Sequence, residues 1–221
     1  MDFVQISFWI ATAAMLASTV FFFLERYDVA PKWRTSVTVA GLVTGVAFWH
    51  YLYMRGVWID TGNSPTELRY VDWLITVPLQ ILEFYLILLA VTKVKISLFW
   101  KLLVSSLVML VFGYLGEAGY LNNIIAFSIG MLGWIYVIYL IYFGEAKKVN
   151  AISNNSASQM AFNAIRLIVL IGWAIYPIGY FLGYNGSADV NTLNLVYNLA
   201  DFVNKILFGL IIWNAAVKDT A

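Results

Sequence analysis

The sequence predicts an all-α fold, a bundle of seven helices that crosses a membrane. Three observations predict it. The 221 residues are 62% hydrophobic and only 11% charged, where a soluble domain carries about 25% charged residues. A chain this apolar needs lipid as its solvent, so that apolar side chains can face outward as well as inward. Seven separate stretches are long enough to span a bilayer core, which takes about 20 apolar residues of helix. The joints between them are short, which favours antiparallel neighbours in one bundle. Composition also excludes several functions. A net charge of +1 offers no electrostatic footprint for nucleic acid. The absence of cysteine removes disulfides, thiolate metal sites and cysteine nucleophiles, and the lone His50 excludes a multi-histidine metal site.

The spans run roughly 3–25, 34–56, 67–91, 96–116, 119–143, 158–184 and 189–216, and residues 1–221 are read as a single transmembrane domain. The first lacks a basic leader and a small-residue cleavage site, so it reads as a membrane helix rather than a removed signal. Pro31 punctuates the joint before the second span. After the second span, 57-VWIDTGNSPTE-67 reads as a short β-hairpin with a Gly62-Asn63 turn. The third and sixth spans contain Pro78 and Pro177, which should bend them. The joint from 144 to 158 reads as a polar connection, and Asn185-Gly186 as a turn before the seventh span. Arg26, Lys32, Arg34, Lys93, Lys95, Lys101, Lys147, Lys148 and Lys218 fall on one side, with only Arg55 and Arg69 near the other. The positive-inside rule then places the N-terminus outside and the C-terminus in the cytoplasm. Arg166 is expected to snorkel toward the cytoplasmic interface.

Five charges remain inside the spans, and each is costly enough in hydrocarbon to imply a function. The third span holds Arg69, Asp72 and Glu83; the seventh holds Asp201 and Lys205. Asp72, Thr76 and Glu83 sit at i, i+4 and i+11, one face of a helix, with a rise of about 16 Å from the first to the last. Asp201 lies one turn before Lys205 on a shared face. A cation at the tip of Lys205 would thus have two carboxylates on one side of the membrane centre and an isolated carboxyl on the other. That isolated group, Glu83, is expected to hold a proton near neutral pH, because burial disfavours the charged form. Taken singly, each pair could be a structural clamp; the combination is harder to explain by packing alone.

An amine in a dry pocket can condense with an aldehyde. The stretches 69-RYVDWLITVPLQILEFYLIL-88, 172-GWAIYPIGYFLGY-184 and 197-YNLADFVNKILFG-209 resemble the microbial rhodopsins. More narrowly they are similar to the proteorhodopsins, retinal-binding light-driven proton pumps of marine bacteria. The resemblance covers essentially the whole chain. It implies a seven-helix bundle carrying all-trans retinal as a protonated Schiff base on Lys205, in a bacterial inner membrane. It implies that Asp72 accepts the proton, that Asp201 is a second counterion, that Glu83 is the cytoplasmic donor and that Arg69 lines the outer half-channel, with Thr76 completing the set. Trp73, Met109, Gly113, Trp134, Trp173, Tyr176, Pro177, Tyr197 and Asn204 match its chromophore pocket. Blue-absorbing members carry glutamine where this chain has Gln80, and green-absorbing members leucine. A polar group there stabilises the ground-state charge at the nitrogen and widens the gap.

The stretch 48-FWHYLYMRG-56 resembles the one in which a histidine, here His50, bonds the acceptor aspartate. The resemblance also implies a homo-oligomeric ring, a pentamer or hexamer, with Trp9 of a neighbour near His50. Glu117, at the outer end of the fourth span, matches a carboxyl near the exit path and reads equally as a solvated helix end. The alternative function is a slow-cycling light sensor with the same chromophore, against which Glu83 argues. Chloride and sodium pumps of the superfamily replace the acceptor aspartate, so Asp72 argues against them. A membrane enzyme is disfavoured because no nucleophile, base and orienting group stand together.

Overall fold

The computed structural model describes residues 2–184, 186 and 188–221, apart from the Tyr184 side chain. The first helix, α1, runs Phe3–Glu25 and is capped by Asp2, whose carboxylate accepts the Gln5 N–H at 2.6 Å. A 3₁₀ turn at Pro31–Trp33 leads into α2, Arg34–Thr61, followed by α3, Thr66–Leu89, and α4, Ile96–Glu117. Then come α5, Asn123–Tyr142, a short α6, Glu145–Ile152, and α7, Ser156–Leu167. A π-turn at Ile168–Gly172 joins α7 to α8, Ile175–Tyr184, and α9 closes the chain from Val190 to Lys218. Among the described residues these make seven spans of membrane-crossing length, with α7, the π-turn and α8 forming the sixth. Large apolar side chains such as Ile10, Val20, Trp49, Leu132 and Ile171 face outward, as a bilayer demands.

The helices pack in sequence around the bundle, α1 on α2, α2 on α3, α3 on α4 and α4 on α5, and α9 closes it against α1, α2 and α7. In α3 67% of the apolar stretch is buried, against 28–50% in the other spans. That places α3 at the axis and makes it the helix where inward-facing charges meet the protein rather than lipid. Because seven is odd, the termini lie on opposite faces, called here the N-terminal and C-terminal faces.

Two expectations are corrected. The β-hairpin is absent: α2 continues through Val57, Trp58 and Ile59 to Thr61, and the described residues contain no strand. Helical register lets Trp58 bury its ring 6.5 Å from that of Phe8 on α1. Gly62, at φ +66°, is then a left-handed C-cap whose N–H bonds Trp58 O at 2.9 Å, not a hairpin turn. The 144–158 joint is also largely helical. Gly144 breaks the fifth span where a Cβ would come within 2.9 Å of Leu140 Cα, and α6 then buries Ala146 and Asn150. Of the expected Asn185-Gly186 turn, Asn185 lies outside the described residues and Gly186 has φ +70°.

Pro78 lies inside a continuous α3. Pro177 does more. It has no N–H for the Trp173 carbonyl four residues back, which accepts Tyr176 N–H instead at 3.1 Å, while Trp173 N–H reaches Ile168 O at 3.0 Å across the π-turn. The sixth span is therefore interrupted beside Trp173.

Candidate functional site

The site is assembled by α3 and α9. On α9, residues 194, 198, 201 and 205 recur at helical spacing and present Asn194, Asn198, Asp201 and Lys205 to the axis; all four are buried. Lys205 is 3% exposed and Asp72 0%. The Lys205 ammonium pairs with Asp72 and lies 3.1 Å from Asp201 Oδ2. Two buried carboxylates thus share one cation, and only hydrogen bonds to their remaining lone pairs make such a cluster tolerable. Asp201 has them: Tyr176 OH donates to Oδ1 at 2.6 Å, while Tyr51 OH at 3.0 Å and Trp73 Nε1 at 3.4 Å donate to Oδ2. Asp72 is left poorer, since its Oδ1 has no hydrogen-bond partner among the described residues. Of the two, Asp72 has the oxygen free to take another proton.

Thr76 donates to the main-chain carbonyl of Asp72 at 3.0 Å, so it stiffens the α3 turn rather than the carboxylate. His50 stands beside Asp72 but forms no hydrogen bond to it. Its Nδ1 is 3.8 Å from Oδ1 and is directed at Val46 O, one turn back, at 2.9 Å; the bond expected from the family resemblance is replaced by this local one. Arg69, fully enclosed, has no carboxylate within ion-pair distance among the described residues. Its Nη2 instead donates to the amide oxygens of Asn194 and Asn198 at 2.8 and 2.7 Å, and Asn198 in turn donates to Ser7 at 2.9 Å. The Phe8 and Tyr197 rings flank the guanidinium at 5.6 and 5.5 Å.

A mostly apolar cavity opens from Lys205 across the bundle. Trp73, Gln80, Met109, Gly113, Trp134, Trp173, Tyr176, Pro177 and Tyr197 all line it, as does Asp201. Asn204 is not on the wall but supports it: its side-chain amide donates to Gly172 O at 3.1 Å and Tyr176 OH at 3.2 Å. Gln80 donates to the main-chain carbonyl of Asn204 at 3.1 Å. Trp134 is fixed by a bond to Val169 O at 3.1 Å. With apolar walls and one amine at the end, the cavity suits a long apolar aldehyde bound through Lys205.

On the C-terminal side of this cluster α3 carries Glu83, 1% exposed. The Ser36 hydroxyl lies beside it, but neither carboxyl oxygen has a hydrogen bond of normal geometry. Phe84 next to it packs edge-on against Phe162 and Phe208.

Sequence reasoning missed Tyr51, Asn194, Asn198 and the α4–α5 wall of Leu110, Phe127, Gly130 and Met131. The two asparagines carry a signal, since they continue the polar stripe of Asp201 and Lys205 at four-, three- and four-residue steps. Tyr51 and the wall residues carry none, because apolar and aromatic side chains cover every face of these spans. Glu117, expected at a helix end, accepts Tyr70 OH at 2.8 Å and lines the cavity.

Residues 2–219 match the model of the bacteriorhodopsin-like protein family. The chain is 62% identical over 223 residues to the green-light absorbing proteorhodopsin of Gamma-proteobacterium EBAC31A08, covering 100% of this chain and 89% of that one. Its fold is similar to the crystal structure of the blue light-absorbing proteorhodopsin from Med12, with a TM-score of 0.85 and 59% identity over 99% of this chain and 100% of that one. It is also similar to xanthorhodopsin, a light-driven ion pump with dual chromophore, with a TM-score of 0.87 and 28% identity over 98% of this chain and 93% of that one. The chain therefore belongs to the bacteriorhodopsin-like family of seven-helix membrane proteins.

Proposed function

We propose that this protein is a light-driven outward proton pump and that Lys205, Asp72 and Glu83 carry the proton. The similarity to proteorhodopsins and to a light-driven ion pump supports the class of activity. One observation carries the assignment: a buried lysine with two carboxylates to one side ends an apolar cavity, and an unpartnered carboxyl on the same helix as Asp72 waits on the other.

All-trans retinal, held as an imine on Lys205, would supply light absorption and an isomerisation that redirects the nitrogen's proton. The chain's residues do the rest. Asp72 takes that proton on its free oxygen; Asp201, saturated by Tyr176, Tyr51 and Trp73, keeps its charge and holds the site together. Arg69 offers positive charge toward the N-terminal face and favours departure of the proton that way. Glu83, enclosed among aromatic rings with only the Ser36 hydroxyl beside it, returns a proton to the Lys205 nitrogen. Trp73, Trp134, Trp173, Tyr176, Pro177, Tyr197, Met109 and Gly113 grip the ligand, Asn204 braces that wall and Thr76 stiffens the acceptor's turn.

The N-terminal face is read as periplasmic and the C-terminal face as cytoplasmic in a bacterial inner membrane, from the lysine and arginine bias. Gln80 tunes absorption toward blue. Identity does not decide the colour, since green- and blue-absorbing relatives are similarly close. His50 adjusts Asp72 as a nearby titratable group, and with the exposed Trp9 marks the boundary of a pentameric or hexameric ring. The whole chain acts as one transmembrane domain. The test is reconstitution with all-trans retinal: a coloured protein that acidifies the medium in light is expected, and a colourless one overturns the reading.

A further inference from the structure

Between Glu83 and the C-terminal face lies a dry plug. Val37, Ile87, Phe162, Ile212 and Ala216 are all fully buried; the buried Ser36 hydroxyl lies beside Glu83, and Ser158 is bonded to Ile87 O. The elements that form it are held together from outside by one carboxylate. Asp219, at the C-cap of α9, accepts Trp33 Nε1 at 2.7 Å and Lys32 Nζ at 2.6 Å on Oδ2, and Asn155 Nδ2 at 2.6 Å on Oδ1. The next residue reinforces the joint, since Thr220 Oγ1 accepts the Ala30 N–H at 2.8 Å.

Each partner is anchored in turn. Trp33 is buried in the main core and immediately precedes α2. Asn155 caps α7, its Oδ1 accepting Ser158 N–H at 2.8 Å, and Ser158 reaches Ile87 O on α3 at 3.3 Å. One side chain therefore fixes the starts of α2 and α7 to the end of α9, three of the four elements that surround the plug; the fourth, α3, is joined through Ser158. Burial opposes ionisation of Asp219, but the hydrogen bonds from Lys32, Trp33 and Asn155 outweigh it and hold its carboxyl below the usual carboxylate range. The clamp is charged at neutral pH, which makes its hydrogen bonds stronger than neutral ones.

We infer that Asp219 is a positioning residue that clamps the plug over Glu83 and thereby limits proton uptake from the C-terminal face. This rests on Glu83 as donor. Two variants attack the clamp from opposite sides. Asp219→Ala removes the acceptor. Asn155→Asp keeps a good α7 cap but replaces the donor with a like charge. In retinal-loaded protein, both are expected to leave the absorption maximum in place. Both should raise hydrogen–deuterium exchange in 30–36 and 156–162 by at least about fivefold, the effect of losing one ordinary hydrogen bond. Proton uptake after a flash, followed with a pH dye, should quicken by a similar factor. Unchanged exchange overturns the clamp; raised exchange with unchanged or slower uptake overturns its control of uptake. Glu83→Gln separates the two readings: if it leaves reprotonation unaltered, the donor assignment fails, whereas the exchange result judges the clamp without reference to Glu83.

Discussion

The two halves of α3 face opposite electrostatic problems. Around Asp72 the chain supplies a lysine, a second carboxylate and a set of donors from α2, α3 and α8, so that buried charge is paired and hydrogen-bonded inside the bundle. Around Glu83, three turns along the same helix, it supplies aromatic rings and one serine. The first setting gives a carboxyl a cation and hydrogen-bond donors nearby; the second gives it almost none. The difference teaches that direction in this molecule need not come from a moving gate alone. If Asp72 receives and Glu83 supplies, as proposed, two acids on one helix with unlike surroundings give the transfer its direction.

The comparison can be broken most severely at its shared centre. Lys205→Ala should abolish pigment formation altogether, read by absorption after adding all-trans retinal; retained colour would remove the basis for both halves. Asp72→Asn should keep colour and lower outward transport by at least about 100-fold, the usual scale for loss of a positioned acid or base. Glu83→Gln should slow return of the proton to the Lys205 nitrogen by roughly 100-fold, with azide restoring much of the rate. Flash spectroscopy showing wild-type kinetics would place the supply elsewhere.

Smaller changes sharpen the same contrast. Gln80→Leu should move the absorption maximum to longer wavelength, and a stationary band would exclude Gln80 as the tuning group. Tyr51→Phe strips one donor from Asp201 and should cost about 1 kcal/mol of stability, seen as a lower thermal bleaching temperature. Smallest is the effect of acid on the clamp. Because the folded carboxyl of Asp219 lies below its ordinary value, its contribution is present above about pH 3.9 and is lost as pH falls through the folded value. Protection of 30–36 should therefore drop on acidification to pH 3 by more in the wild type than in Asp219→Ala, within the ~1 kcal/mol typical of surface pairs.

How much of this was legible follows the same division. The seven spans, Lys205, Asp72 and Glu83 stand out because a charge in a run of apolar residues is costly and therefore conspicuous. The residues that make those charges tolerable are harder to see. Asn194 and Asn198 could have been found as an extension of the α9 stripe, but Tyr51 is one aromatic among many and betrays nothing. The resemblance implies a bond from His50 to Asp72, but the ring lies 3.8 Å away and turns to Val46 O, a rotation that spacing does not encode. The misread 57–67 segment shows the limit of turn chemistry. Gly-Asn followed by Ser-Pro fits a hairpin or a helix cap equally well, and burial of Trp58 against Phe8 decided between them.

The most direct test of the central claim is the pH of an unbuffered suspension of cells making the retinal-loaded protein, recorded as light is switched on. The account predicts prompt acidification that a protonophore abolishes and that Asp72→Asn lacks. Illumination that leaves the pH unchanged, or raises it, would contradict the claim that Asp72 receives and Glu83 supplies.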